Sequence, residues 1–206
     1  MSKSSESWGA FSPEIAFSYL KTFGHAAPGS KQILLDVMRS GAQKSVPSVL
    51  DLGCGNGQLY EYFKSQGWQC EYTGVDFSDA LLEVARRHSP EATFLQGDVN
   101  QLSSLITRKF DYVIYSHVIE ILESPELSLN EAKKATDRVL IRFFEPPEFE
   151  VDTVELREMD LGLCKVPYLR RKMSRGYYQL ILANAGCKRV DVYRDVSKDQ
   201  VHVLYF

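Results

Sequence analysis

Ser48-Val49-Leu50-Asp51-Leu52-Gly53-Cys54-Gly55-Asn56-Gly57 decides how this chain folds. The apolar run rich in Val and Leu predicts a short buried strand. It stops at three glycines in alternate positions. Gln58-Leu59-Tyr60-Glu61-Tyr62-Phe63 follows, with apolar or aromatic residues at helical spacing. Strand, glycine turn and helix in that order make a ligand cradle. Glycine accepts positive φ and lets the backbone approach a ligand with no Cβ between them. The helix N-terminus beyond offers unpaired N–H groups to an anionic group. The spacing is G-x-G-x-G, not the G-x-G-x-x-G of dinucleotide turns, and Asp51 sits two residues before the first glycine. A carboxylate there repels a pyrophosphate and suits a ligand carrying an ammonium and a sulfonium.

The flanking segments extend the pattern. Cys70-Glu71-Tyr72-Thr73-Gly74-Val75-Asp76 predicts a second strand ending in an acid. Asp76 lies about 20 residues beyond the glycines, where a carboxylate takes both ribose hydroxyls in Rossmann-type sites. Two hydroxyl donors then match two carboxylate oxygens. Ser78 caps a helix carrying Ala80, Leu81, Leu82, Val84 and Ala85, and His88-Ser89-Pro90 ends it. His88 is favoured at a helix C-terminus on its own account and is not taken as a ligand or base. Residues 92–99 predict a third strand running into a turn, 110–120 a fourth, and 137–145 a fifth that Pro146-Pro147 stops.

Asp51-Leu52-Gly53-Cys54-Gly55-Asn56-Gly57 resembles motif I of the class I S-adenosylmethionine (SAM) dependent methyltransferases. Gly97-Asp98-Val99 matches the segment whose Asp contacts the adenine amine in that family, and "FDYVIYSHVIEIL" from Phe110 resembles its fourth motif. The similarity covers residues 45–145 firmly and the last helix and hairpin loosely. It implies SAM as cofactor, with S-adenosylhomocysteine (SAH) as product. The cofactor-binding residues it implies are Asp51, Gly53, Cys54, Gly55, Asn56, Gly57, Asp76, Phe77, Asp98, Val99 and Ser116. Asp98 would accept from the adenine amine, and the Val99 N–H would donate to a ring nitrogen. The loop after the fourth strand faces the transferred methyl in the family. His117 is therefore the candidate base, being ionisable near neutral pH. Tyr115 is a candidate for a contact to the sulfonium through its ring or hydroxyl. Plainer readings stand beside these. His117 packs in the turn with Val118 and Ile119; Asp98 caps a helix from Asn100; Cys54 is a small residue tolerated in a tight loop. No Asn/Asp-Pro-Pro-Tyr follows the fourth strand, which counts against methylation of adenine or cytosine amines.

Strand and helix alternate through the middle of the chain, and a hairpin closes it: residues 187–194 and 200–206, joined through 195–199. The expected fold is α/β: a doubly wound, seven-stranded, mostly parallel sheet with one antiparallel strand from the C-terminal hairpin. Helices cover both faces, and N-terminal helices form a cap. Residues 1–206 read as a single SAM-dependent methyltransferase domain, with 1–44 as the cap and 146–173 as an irregular substrate-side insert. Ser12-Pro13-Glu14 begins the first cap helix and Gly24 ends it. A second runs from about Ser30 to Arg39. Tyr19 and Trp8 are candidate ligand contacts from the cap. The insert carries acids from Glu148 to Asp160, then a basic run of Lys165, Arg170, Arg171, Lys172 and Arg175.

The chain has 206 residues and a net charge of −3, which argues mildly against a nucleic-acid partner. No apolar run approaches the roughly 18 residues of a membrane span, and residues 1–6 are polar, so a cytoplasmic protein is expected. The four cysteines lack C-x-x-C or Cys/His ligand spacing, so neither a metal nor a disulfide framework is expected. The expected function is methyl transfer from SAM to an oxygen or nitrogen of a small-molecule acceptor, by a monomer or homodimer. The alternatives are an RNA or protein methyltransferase, favoured only by the basic run, and a non-catalytic SAM-binding partner subunit. Positioning alone removes about 7–11 kcal/mol of such a barrier, and a general base adds about 10²–10⁴-fold. An obvious base is therefore not a requirement.

Overall fold

The structure, a computed structural model, describes residues 11–23, 29–194 and 199–206. Trp8, Gly24 and residues 195–198 of the closing turn lie outside the described residues.

Two helices, α1 (Pro13–Phe23) and α2 (Gly29–Gly41), precede the alternating part of the chain. There follow β1 (Ser48–Leu52), α3 (Gln58–Ser65), β2 (Glu71–Asp76), α4 (Asp79–His88), β3 (Thr93–Gln96) and β4 (Tyr112–Ser116). Next come α5 (Pro125–Ala135), β5 (Arg138–Phe143), β6 (Thr153–Asp160), β7 (Lys165–Lys172), α6 (Arg175–Ala185), β8 (Arg189–Arg194) and β9 (Gln200–Tyr205). Short 3₁₀ turns cover Val99–Ser104 and Ile119–Ile121.

Seven strands form one sheet in the order β3-β2-β1-β4-β5-β9-β8. β3, β2, β1, β4 and β5 pair in parallel, and β9 runs antiparallel to both β5 and β8. This is the expected doubly wound sheet with its single reversed strand. Every residue of β1 is buried, because helices cover both faces. On one face Leu50, Leu52, Val113, Tyr115, Val139 and Ile141 meet Leu129 and Ala132 of α5 and Ile181 of α6. On the other, Val49, Tyr72, Tyr112, Ile114 and Leu140 meet Leu34 and Met38 of α2, Phe63 of α3 and Leu82 of α4. The chain winds one way from β1 to β3 and then returns to β4 beside β1. That reversal leaves a crevice at the carboxyl ends of β1 and β4, where ligands of open α/β sheets sit.

Two elements were not visible in the sequence as read above. Helix α5 starts at Ser124-Pro125-Glu126, the same signature as Ser12-Pro13-Glu14, with Pro in its first turn. Residues 146–173 are not irregular: β6 and β7 form a two-stranded antiparallel hairpin from Thr153↔Lys172 to Asp160↔Lys165. Charge hid its alternation. Glu155, Arg157 and Met159 turn inward, while Val154 and Leu156 are exposed, the reverse of the usual pattern. Pairing sets the acids of one strand against the bases of the next. Lys172 bonds Glu155 at 2.6 Å, Lys165 lies 3.7 Å from Glu158, and Arg171 pairs with Asp152 before the hairpin. The basic run is thus largely answered within the insert. Phe11 and Ala16 beside and within α1 pack with Leu81 of α4 and with Leu161 and Val166 of the hairpin. The cap and the hairpin together roof the carboxyl end of the sheet.

One buried ion pair pins that roof. Glu120 is fully buried, and Arg170 of β7 reaches its Oε1 at 3.4 Å. The same oxygen accepts the N–H groups of Phe144 at 3.1 Å and Glu145 at 2.7 Å. Burial pushes the Glu120 carboxyl up to about 7, against the lowering effect of Arg170. Removing one member of a buried pair costs about 3–5 kcal/mol. Arg170→Met is therefore expected to lose about 3 kcal/mol of unfolding free energy at pH 8, where Glu120 must either stay charged without its partner or take up a proton. The loss shrinks at pH 5, because a carboxyl with a raised folded-state pKa is already protonated there. Denaturant titration at both pH values reads the difference, and equal losses would assign Arg170 a packing role only.

Candidate active site

The glycine turn takes the conformation that its sequence predicts. Gly53, Gly55 and Gly57 have φ of 73°, 55° and 78°. At Gly53 space is also decisive, since a Cβ would stand 2.5 Å from Cγ2 of Val118 in the turn after β4. The N–H groups of Gly53 and Cys54 both donate to the Val75 carbonyl, at 2.7 and 3.1 Å. The turn is thereby stitched to β2. Asp76, at the tip of β2, closes the stitch. Its Oδ2 accepts the Gly55 N–H at 2.8 Å and its Oδ1 the Ser78 N–H at 2.9 Å. Burial raises the Asp76 pKa, and these N–H groups draw it back. Each oxygen keeps acceptor capacity for a hydroxyl.

These residues line a cavity of about 490 Å³. Its first half holds Asp51, Gly53, Cys54, Gly55, Asn56, Asp76, Phe77, Gly97, Asp98 and Val99. Asp51 is 1% exposed, and the Tyr72 hydroxyl donates to its Oδ2 at 2.5 Å. Burial lifts its carboxyl to about 7. Among the described residues its Oδ1 has no partner, and neither has the buried Nδ2 of Asn56. Buried polar atoms are normally satisfied. An orphan acceptor and an orphan donor beside a bare backbone bend fit a ligand with its own polar groups. Asp98 uses Oδ1 to cap the turn after it, accepting from the Asn100 N–H at 2.8 Å. The capping reading holds for that oxygen, and the residue still lines the cavity. Cys54 is buried, and burial holds its thiol well above the usual range. An un-ionised thiol is a poor nucleophile. Gly57 is not among the residues lining the cavity; it serves the backbone path into α3.

The second half is built from β4, β5 and the roof. Ser116, His117, Val118, Arg142, Phe144, Arg157, Met159, Tyr168 and Arg170 line it, with Tyr19 and Lys31 from the cap. His117 has φ of 61°, the sole positive value among the described non-glycine residues. Such strain concentrates at functional sites. Its N–H donates to the Arg142 carbonyl at 2.9 Å, and its Nε2 lies 3.2 Å from Oδ2 of Asp199. Ser30 donates to the same Asp199 oxygen at 2.5 Å and accepts from Arg142 Nε at 2.7 Å. Arg142 Nη1 donates to Ser116 Oγ at 2.6 Å. Burial lowers the His117 pKa, and the Asp199 hydrogen bond only partly restores it. The imidazole is therefore neutral at pH 7. With Nε2–H donated to Asp199, Nδ1 carries the lone pair.

Tyr115 is a correction. It is fully buried on the opposite face of the sheet, its hydroxyl 2.7 Å from Ser128 Oγ. Successive side chains of a strand point to opposite faces, so Tyr115 packs towards α5, away from the cavity. Sequence reading also missed Lys31, Arg142 and Asp199. Arg142 carried a usable signal, a lone cation inside the apolar run Val139-Leu140-Ile141-Arg142-Phe143. Lys31 and Asp199 carried none, since only folding brings the chain ends to this site.

Known proteins resemble this chain in sequence and in fold. Residues 50–138 match the family model described as a methyltransferase domain. The malonyl-[acyl-carrier protein] O-methyltransferase of Halalkalibacterium halodurans is 27% identical over 140 residues, 63% of this chain and 52% of that protein. The demethylmenaquinone methyltransferase of Chlamydia pneumoniae is 26% identical over 133 residues, 62% of this chain and 57% of that protein. The matches thus span little more than half the length of these two relatives. Among solved structures, the DhpI-SAM-HEP complex has a TM-score of 0.72 at 17% identity, covering 100% of both chains. SAM-bound CalS10, an amino pentose methyltransferase from Micromonospora echinaspora, has a TM-score of 0.66 at 16% identity, over 85% of this chain and 89% of that one.

Two substitutions check the geometry. Tyr115→Phe removes a hydrogen bond on the far face, and is expected to cost about 1 kcal/mol in stability without changing ligand affinity. Gly53→Ala forces a Cβ into Val118, and is expected to weaken nucleotide binding at least tenfold. Calorimetric titration beside thermal unfolding separates the two, and a tenfold binding loss from Tyr115→Phe would contradict this placement.

Proposed function

We propose that this chain, a class I methyltransferase in its fold and a methyltransferase domain over residues 50–138, transfers the methyl group of SAM to an oxygen or nitrogen of a small-molecule acceptor. One observation carries the reading: a single cavity holds the acids at three neighbouring strand tips together with a histidine of positive φ. SAM supplies a methyl group activated by a sulfonium. Asp76 takes the ribose hydroxyls, and Asp98 and the Val99 N–H take the adenine edge. Asp51 and Asn56, each with an orphan polar atom, take the charged amino-acid end. The glycine turn allows close backbone approach. His117 then accepts the acceptor's proton at Nδ1, while Asp199 holds the ring through Nε2. Transfer of the methyl carbon to the acceptor atom would leave the S–C bonding pair on sulfur, so the SAH formed would be uncharged at that atom. Positioning does most of the work, and the base adds about 10²–10⁴-fold.

The RNA reading rested on the basic run alone, and within that run Arg171 is paired with Asp152 and Lys172 with Glu155. For the partner-subunit reading, the discriminator is turnover. Purified protein is expected to bind SAM by calorimetry, with Asp76→Ala weakening it at least tenfold, and to release SAH with a member of a metabolite panel. Binding without turnover on any metabolite would favour the partner subunit. The rate should fall on acidification through a pKa below the ordinary 6.5, because protonated His117 has no lone pair to offer. His117→Asn should abolish that acid limb and lower kcat by about 10²-fold or more. An acid limb that persists in the variant would exclude His117 as the base.

A further inference from the structure

The cavity is lined by charges of both signs, with Arg142 of one set close enough to Asp51 of the other for each to bias the other's ionisation. Asp51, Asp76 and Asp98 sit at or just beyond the tips of β1, β2 and β3. From β4 outward the charged lining is cationic: Lys31 from α2, Arg142 from β5, and Arg157 and Arg170 from the hairpin, with Glu123 as the one lining acid on that side. Three of these cations have acidic partners. Arg142 has Asp199 at 3.8 Å, Arg157 has Glu155 at 2.9 Å, and Arg170 has Glu145 at 3.1 Å and Glu120 at 3.4 Å. Their partners fix the guanidinium groups in place, and a guanidinium has donors on more than one edge.

Lys31 is different. It is 7% exposed and lines the cavity, yet among the described residues no hydrogen bond or ion pair reaches its Nζ. Its ammonium stands over the Tyr62 ring, 5.9 Å from the centroid. Burial and the neighbouring Arg142 guanidinium lower its pKa. A buried ammonium without an anion is unfavourable, and one that opens on a ligand cavity is answered when an anion enters.

We propose that the acceptor is an anionic small molecule, bearing a carboxylate or phosphoryl group, which the cationic end of the cavity holds through Lys31 and the hairpin arginines Arg157 and Arg170. This rests on the methyltransferase reading and adds to it the charge class of the substrate. The acid end takes the cationic sulfonium ligand, and the basic end takes the anion. The hairpin is then the element that selects the acceptor, because it contributes two of the three groups.

The test uses the full chain saturated with SAH, titrated by calorimetry and NMR with malonate and inorganic phosphate. Malonamide and ethanolamine serve as neutral and cationic controls. The anions are expected to bind at least tenfold more tightly than either control. Lys31→Met and Arg157→Gln should each weaken the anions roughly tenfold, as loss of a charge-assisted hydrogen bond does, with SAH affinity unchanged. Arg157 is partly exposed and far from the core, so its variant keeps the test sound if Lys31→Met folds poorly. Equal binding of malonate and malonamide would overturn the proposal, as would anion affinities untouched by Arg157→Gln. Loss of SAH affinity in Lys31→Met, with anion binding intact, would also overturn it, by assigning Lys31 to the carboxylate of the cofactor. Failure of the unaltered protein to bind SAH would instead sink the methyltransferase reading itself.

Discussion

A single buried carboxylate holds the site together. Asp76 stands at the end of β2 and grips two loops at once, through the N–H groups of Gly55 and Ser78. It can do so because β1 and β2 pair in register, with Leu52 opposite Val75, and their tips end level. Burying that charge is unfavourable, and two backbone donors offset it. The glycine turn depends on the same register, since Gly53 and Cys54 both bond the Val75 carbonyl. Every other feature of the first half of the cavity follows from these few contacts. The turn lies flat against β2, Val118 fills the space a Cβ would need at Gly53, and Asp51 is left with one oxygen facing no partner among the described residues.

The two halves of the cavity are held by different physics. The acid half is fixed by sheet register and apolar packing on both faces, so its geometry is as rigid as the core. The cationic half is roofed by a hairpin whose apolar residues Val154 and Leu156 face outward. That hairpin is attached by Leu161 and Val166 against the cap, and by ion pairs of Arg170 with Glu120 and Glu145. The hairpin stands outside the seven-stranded sheet, pairing only within itself.

What could be read in the sequence was what is local in the chain. The glycine turn, Asp76 at a strand end and the Asp98 turn are each specified within a few residues, and the structure places all three at one cavity. The alternation of strand and helix gave the sheet, including its reversed strand. Failure came where the answer depends on a face or on distant pairing. Tyr115 lies in the right strand but points to the wrong side, and one residue of alternation decides that. The hairpin was obscured because on β6 the charged Glu155 and Arg157 turn inward while the apolar Val154 and Leu156 are exposed. Lys31, Arg142 and Asp199 come from three separate parts of the chain. Their grouping around His117 is a property of the fold, with only the cation inside β5 visible beforehand.

The central claim is that buried acids at the strand tips recognise a positively charged sulfur nucleotide. Its most direct test is the affinity of the unaltered chain and of Asp51→Asn for SAM, measured by calorimetry at pH 8, where a carboxyl with a pKa of about 7 is ionised. Asparagine keeps the shape and removes the charge. The account predicts SAM binding to the unaltered chain and at least a tenfold loss in the variant. Equal affinity in both proteins, or none in either, would contradict it.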